Sequence, residues 1–361
     1  MGWDVRACCS VEELRGAVAP IWYYFGRSVP IDEQFQRVER VLPPERMHAA
    51  WEKEVAVGGA GSFPFVLTVP GGRVAAAGVT AVAVLPTHRR RGVLRALMRA
   101  QLEDCRERGE SVAYLWATED TIYGRFGYGI ASFTAEIDLP RERSAYSASF
   151  EPAGNARLVP LSEAEAVVAP IYEQVAVGTP GMFVRSSAWW QARALVDPEW
   201  RRRGGGELQC AVLELGGGPA AYALYRLNMA FERGVQNGSV EVIEAMGASR
   251  ESTRALWRFL LDIDWMARIR AGLLPLDHPL LLLLAEPRRL RLSVRDGLWV
   301  RLVDIAAALS GRSYAGPGSI VIDVADRFRH TRFCLSRRVH LGAAGAGVPS
   351  RRVAARRSQA R

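Results

Sequence analysis

Residues 85–98 read LPTHRRRGVLRALM, a cluster of basic residues, then a glycine, then an apolar helical pattern. The run Val74–Leu85 (VAAAGVTAVAVL), which leads into it, has the composition of a strand, with Gly78 the candidate for a bulge. From Val93 to Arg108 apolar residues fall at 93, 94, 97, 98, 102 and 105, a helical spacing, and Gly109 suits the stop. Strand, basic glycine loop and helix together form one device. A helix start leaves backbone N–H groups unpaired and carries partial positive charge. Gly92 lets the backbone approach an anion closely, and the guanidiniums add charge and forked donors. Such a loop suits a pyrophosphate. It has neither the G-K-S/T of a Walker loop nor G-x-G-x-x-G. The competing reading is a solvated basic helix start.

The neighbours favour the ligand loop. Phe63–Val69 (FPFVLTV) is strand-like and Pro70-Gly71-Gly72 a turn. Ser111–Ala117 (SVAYLWA) is the next strand, ending in Thr118-Glu119-Asp120. Ile122–Gly129 begins as a short helix, and Phe133–Leu139 returns as a strand. The order is that of a mixed α/β layer, in which a ligand sits at strand ends. Before it, residues 11–56 alternate helical patterns with breaks at Pro20, Pro30 and Pro43-Pro44.

Beyond a polar linker at 140–155, a second unit repeats the strand-then-helix order. Gln209–Leu215 and Ala220–Leu227 form a strand pair, Ser239–Met246 a strand, and Ser249–Arg270 a helix. The join at 247–252 (GASRES) is an ordinary helix cap without the arginine–glycine loop. A third segment starts near Glu286, with a strand-to-helix unit at Trp299–Ala308 and a strand at Ser319–Val324.

Composition excludes several classes. The 361 residues are 49% hydrophobic, ample for two or three packed domains. No apolar run approaches the roughly 20 residues a membrane span needs, and no signal peptide is visible, so a soluble cytoplasmic protein is expected. Five scattered cysteines (8, 9, 105, 210 and 334) without C-x-x-C spacing argue against a disulfide framework or a metal site. The net charge of +9 suggests nucleic acid until it is located. Residues 327–361 hold ten arginines and no acidic residue, which leaves the rest of the chain near −1. Counterion release on nucleic acid would have to use that tail alone.

The loop, with its R-x-x-G-x-apolar pattern after a strand, resembles the acyl-CoA loop of the Gcn5-related N-acetyltransferases (GNAT). The longer run LPTHRRRGVLRALMRAQLEDCRERGESVAYLWATEDTIYGRFGYGIAS resembles the Eis ("enhanced intracellular survival") family, as do FPFVLTVPGG and DGLWVRLVDIAAAL. The resemblance spans about residues 20–326 and implies an α/β fold of mixed sheets. Tandem GNAT folds at 1–145 and 155–285 would be followed by a partial sterol-carrier-like domain at 286–326. It implies acetyl transfer from acetyl-CoA to a primary amine (aminoglycoside, polyamine or lysine) by direct attack, with no metal, in a homohexamer. Val82, Ala83 and Val84 would offer strand-edge groups to the pantetheine arm. Arg90, Arg91, Gly92, Val93, Leu94 and Arg95 would hold the pyrophosphate. Thr118 and Glu119 would line the gap that receives the thioester, and Tyr123 matches the general acid. Tyr128 reads as structural. The second fold would wall the amine pocket, and Asp32, Glu33 and Glu119 could attract a cationic amine.

The resemblance implies that family members run on past this point and finish in an aromatic residue whose carboxylate acts, through water, as the base. Here the match stops near Ala325–Phe328, and the arginine–alanine–glycine remainder looks like an out-of-frame reading of a high-GC gene. The expectation is a frameshifted or truncated member with a disordered tail at 327–361. A non-catalytic member that binds CoA or a lipid is the other reading consistent with the loop.

Overall fold

The computed structural model describes residues 2–29, 32–151, 154–316, 318–329 and 331–339. In chain order come β1 (Asp4–Ala7), α1 (Val11–Tyr24), α2 (Asp32–Glu39), β2 (Met47–Glu52), β3 (Val55–Val69), β4 (Gly72–Val84), α3 (Val93–Glu107), β5 (Val112–Trp116), α4 (Asp120–Tyr123) and β6 (Gly129–Ile130). Next are β7 (Phe133–Pro140), β8 (Asn155–Leu158), α5 (Leu161–Gly178), α6 (Ser187–Trp189), α7 (Glu199–Arg202), β9 (Gln209–Leu215), β10 (Gly218–Asn228), β11 (Phe231–Glu232) and β12 (Val235–Gln236). Then β13 (Ser239–Gly247), α8 (Arg250–Asp262), β14 (Arg268–Leu274), α9 (Leu280–Leu283), β15 (Ser293–Asp296), β16 (Leu298–Leu302), α10 (Ile305–Ser310), β17 (Gly318–Asp326) and β18 (Thr331–Val339) complete the chain.

Two seven-stranded sheets organise two units. The first has the order β1-β2-β3-β4-β5-β16-β6 and the second β15-β7-β14-β13-β10-β9-β8. In each sheet one pair is parallel, β4 with β5 and β13 with β14, and a helix (α3 or α8) makes the crossover that a parallel pair requires. The units interleave in sequence. The first takes 1–131, 179–184 and 298–361, and the second takes 132–178 and 185–297.

This interleaving is where patterning alone misplaces strands. The strand at 133–140, expected to return to the first layer, pairs with β14 and β15 in the second sheet. Residues 286–326 do not gather into one body. β15 joins the second sheet, β16 zips antiparallel onto β5 in the first, and β17 pairs with β18. Hydrophobic alternation identifies a strand and its buried face, but not its partner. The segment 179–184 likewise returns to the first unit, where Met182 accepts from Thr68 N (2.7 Å) and Val184 N donates to Val66 O (2.9 Å).

The first core forms where these strands meet α1 and α3. On α3 the buried residues are Val93, Leu97, Met98, Gln101, Leu102 and Cys105, close to the expected stripe, with Gln101 donating to Gly61 O at 2.8 Å. α1 starts on the Ser10 side chain, which accepts from Glu13 N, and runs through Pro20 rather than breaking there. β3 is longer than FPFVLTV. Its first half, VAVGGAGS, turns to small residues after Val57, and at Gly59 α1 lies close against it: a Cβ there would stand 2.2 Å from Ala17 O. Gly78 is regularly paired with Phe63 and Tyr114, and its missing side chain leaves room for the Phe65 ring. The bulge falls elsewhere, as described below.

In the second unit the helix expected at 249–270 ends at Asp262, and Arg268–Leu274 is strand β14. Apolar Met266 and Ile269 continue the helical spacing of α8, which hides the change. The Ser249–Ser252 capping box starts α8, as GASRES implies. Of the tail expected to be disordered, 327–329 form a turn and 331–339 a strand, while 340–361 lie outside the described residues. Among the described residues no helix is long and apolar enough to cross a membrane.

Candidate active site

The site begins where β4 and β5 part. They pair only from Ala76–Val112 to Gly78–Tyr114, after which β4 continues along β3 to Val84. The cause is a bulge. Gly61 opposes Thr80 and Gly59 opposes Ala83, so Ala81 and Val82 together face Ala60. Ala81 has φ 51°, left-handed backbone that costs a non-glycine residue about 1 kcal/mol or more. A bulge bends its strand and raises the local twist. Beyond Gly78 the β4 edge that would face β5 has no strand beside it among the described residues, and Val82, Ala83 and Val84 lie on that stretch. Tyr24 Oη closes its far end by donating to Val84 O at 2.9 Å.

The loop then reverses the chain through Pro86–His88 and two left-handed residues, Arg90 (φ 62°) and Gly92 (φ 86°). Gly92 is the N-cap of α3, and no side chain caps the helix. The first-turn amides of Val93, Leu94 and Arg95 therefore have no intrahelical acceptor. A Cβ at Gly92 would meet nothing within 4 Å, so glycine serves the backbone conformation there.

The arginines differ in what they are free to do. Arg91 is engaged: its guanidinium sits 3.3 Å from Glu52 and 5.0 Å from the Trp3 ring centre, and its carbonyl accepts from Trp3 Nε1 at 2.8 Å. His88 Nε2 also meets Glu52 at 3.0 Å, and that hydrogen bond is the main reason the Glu52 carboxyl sits below its ordinary range. Arg90 is exposed and has no carboxylate partner among the described residues. Arg95 stands 5.6 Å from the Phe328 ring centre. Trp3, Glu52 and Ala81 were not legible as site residues. The first two lie 88 and 39 positions from Arg91, and an alanine carries no bulge signal.

Thr118 and Glu119 are exposed on the turn after β5, and Ile122 N donates to Glu119 O at 3.3 Å to begin α4. Tyr123 ends that turn with its ring buried among Met98, Leu102 and Tyr128. Val82 and Leu94 pack on the same cluster, so bulge, helix start and phenol share one apolar floor. The Tyr123 hydroxyl has no hydrogen-bond partner among the described residues, and burial raises its pKa above the ordinary phenol value. It therefore stays protonated at neutral pH. Tyr128 stands edge-on at 5.8 Å, enclosed in the core, its buried hydroxyl without a hydrogen-bond partner among the described residues. Glu33 is tied to Arg37 at 3.3 Å, which leaves it a weak lure for a cation.

A strand pair that splays at a bulge, with an uncapped glycine helix start between its strands, defines the acetyltransferases of the GNAT fold. A family model described as an acetyltransferase (GNAT) domain matches residues 9–131, and a second matches 181–302. An uncharacterised N-acetyltransferase of Streptomyces coelicolor is 41% identical over 303 residues, covering 82% of this chain and 72% of that protein. The N-acetyltransferase Eis of Mycobacterium tuberculosis is 36% identical over 269 residues, covering 72% and 64%. The crystal structure of Eis1 from Mycobacterium abscessus superposes with a TM-score of 0.77 at 32% identity, covering 94% of this chain and 85% of that one. The chain belongs to the Eis-like N-acetyltransferases and is an enzyme with two GNAT domains.

Proposed function

We propose that this chain transfers the acetyl group of acetyl-CoA to a primary amine by direct attack, with Tyr123 as general acid. The observation that carries the reading is the shared floor: the splayed edge of β4, the uncapped start of α3 and the buried, protonated phenol of Tyr123 meet on one cluster. Acetyl-CoA, when bound, supplies the activated thioester. The residues present fit it. Arg90 and Arg95, with the amides of Gly92, Val93 and Leu94, hold the pyrophosphate, while Arg91 braces the loop from Glu52 and Trp3. The free edge at Val82, Ala83 and Val84 takes the pantetheine arm as a strand would, and its N–H groups face the developing oxyanion. Thr118 and Glu119 line the other side of the gap. Tyr123 donates its hydrogen to the departing sulfur.

The amine class follows the family: an aminoglycoside, a polyamine or a lysine. We read β17, the last part of the expected 286–326 segment, as the start of the sterol-carrier-like region, the assembly as a homohexamer, and the location as cytoplasmic.

The test is thiol release from acetyl-CoA across a panel of these amines. Arg90→Ala combined with Arg91→Ala should raise the KM for acetyl-CoA about tenfold or more, since charge-assisted bonds contribute about 1.5–3 kcal/mol each. That loss should shrink as salt rises, because exposed charges are screened. An unchanged KM at low salt would remove the loop from the site.

A further inference from the structure

The second unit repeats the splay of the first and uses it differently. β13 and β14 pair in parallel only from Ser239–Arg268 to Val242–Ala271. Next to that point Tyr225 opposes Val242 and Leu224 opposes Glu244, which leaves Ile243 as the extra residue of a bulge. The counterpart of the arginine–glycine loop is a serine capping box, so the donor side of this fold has no anion cradle. The acceptor side has kept a cavity of about 260 Å³, lined by Ile243 and Glu244 at the bulge, by β10, and by the 185–208 segment that links α5 to β9.

The lining is cationic. Arg185, Arg193, Arg201 and Arg226 face the cavity with one carboxylate, Glu244. Glu244 is already committed: it takes both prongs of Arg185 (2.9 and 2.6 Å) and the Tyr222 hydroxyl. Asp197, behind the wall, pairs with Arg226 at 2.7 Å and Arg202 at 2.9 Å. Arg201 donates only to main-chain carbonyls, those of Arg193 (2.5 Å) and Val196 (3.4 Å), and has no carboxylate partner among the described residues. Burial, then the charges of Arg193 and Arg226, push its pKa down to about 10. Like charges gathered out of water are costly unless something neutralises them. Between the guanidiniums the wall is apolar, with Trp189, Leu208 and Leu224.

We propose that this cavity binds a small oxyanion, a phosphate or carboxylate carried on an apolar or aromatic body. Arg201 takes the oxyanion in the positive field of the neighbouring guanidiniums, and Trp189 with the leucines takes the body. The first unit would then handle a cationic amine while the second recognises an anion. The assignment does not depend on acetyl transfer.

Calorimetric titration of the full chain at constant ionic strength tests it, with phenyl phosphate, benzoate and inorganic phosphate as probes. The titration is run on the wild type and on the Arg90→Ala/Arg91→Ala chain, which disables the other anion cradle. One saturable site for phenyl phosphate should persist in that double variant. Arg201→Gln should weaken it about tenfold or more. Ile243→Trp should do the same by filling the mouth; Ile243 is 46% exposed, so this change tests the cavity without removing a charge or a buried contact. Absence of saturable binding in the double variant would overturn the proposal, as would full affinity in Ile243→Trp. Inorganic phosphate binding as tightly as phenyl phosphate would overturn the apolar half of the assignment.

Discussion

Tyr123→Phe is expected to lower turnover by about two to four orders of magnitude, the range a positioned general acid supplies, while leaving the KM for acetyl-CoA within a few-fold. The split follows from where the side chain sits. The ring is part of the core around Met98, Leu102 and Tyr128, and phenylalanine keeps it. The hydroxyl has no hydrogen-bond partner among the described residues, so removing it breaks no structural contact and should leave thermal stability near that of the wild type. What is lost is the proton. The wild-type rate should fall as pH rises through the raised pKa of this phenol, because the acid must be protonated to act, and the phenylalanine variant should lack that limb. Turnover of Tyr123→Phe within threefold of wild type would take Tyr123 out of the chemistry. Tyr128→Phe is the control: its hydroxyl is buried in the core without a hydrogen-bond partner among the described residues, and its loss should leave the rate alone.

The second large effect is on stability. Asp326→Ala should destabilise the first unit by about 3–5 kcal/mol, the usual result of stripping one partner from a buried ion pair. Arg301, on β16, and Asp326, at the end of β17, are 7% exposed at their side chains and bonded to each other. Gly127 makes room for this arginine, since a Cβ there would stand 2.0 Å from Arg301 Nη1. Asp326 also accepts from the amides of Phe328 (3.1 Å) and Arg329 (3.2 Å), which fixes the turn after β17. Phe328 then meets Phe126 edge-on, and Arg329 reaches the carbonyls of Leu102 and Val303. Calorimetry should show the melting transition of this unit shifted down by about 10 °C. Replacing both partners, as Arg301→Met with Asp326→Leu, should recover most of the loss, because no buried charge is then left alone. A shift under about 2 °C for Asp326→Ala would mean that water reaches Arg301 and the pair is not sealed.

The residues of the loop and of α3 were readable because their information is local. A helical stripe, a glycine at a left-handed N-cap, a β-branched strand before the loop and an aromatic, apolar one after the helix each announce themselves within a few positions. Tyr123 became a candidate through family resemblance; the sequence alone could not distinguish it from a core aromatic. Three features escaped for three physical reasons. The bulge sits at Ala81 and Val82 rather than Gly78, because the strain is imposed by the pairing with β3 and not invited by the residue. The brace of Trp3, Glu52 and His88 around Arg91 is assembled from distant segments. The guanidiniums of the second cavity are scattered from 185 to 226 in a chain rich in arginine throughout, so their convergence has no trace in composition. The first unit's last central strand, β16, is legible as a strand, but its place beside β5 is not.

That strand also sets a clock. The inner edge of β5 stays bare on a growing chain until Leu298–Leu302 leaves the ribosome, some 180 residues after Trp116. At about 5–20 residues per second that is roughly ten to forty seconds during which an exposed β edge waits for its partner. All of the second unit's sequence is made before the strand that closes the first, so the first fold cannot mature ahead of the second. A ribosome that stalls in α8 or β14 would leave two open sheets, a natural client for chaperones that shield unpaired strands.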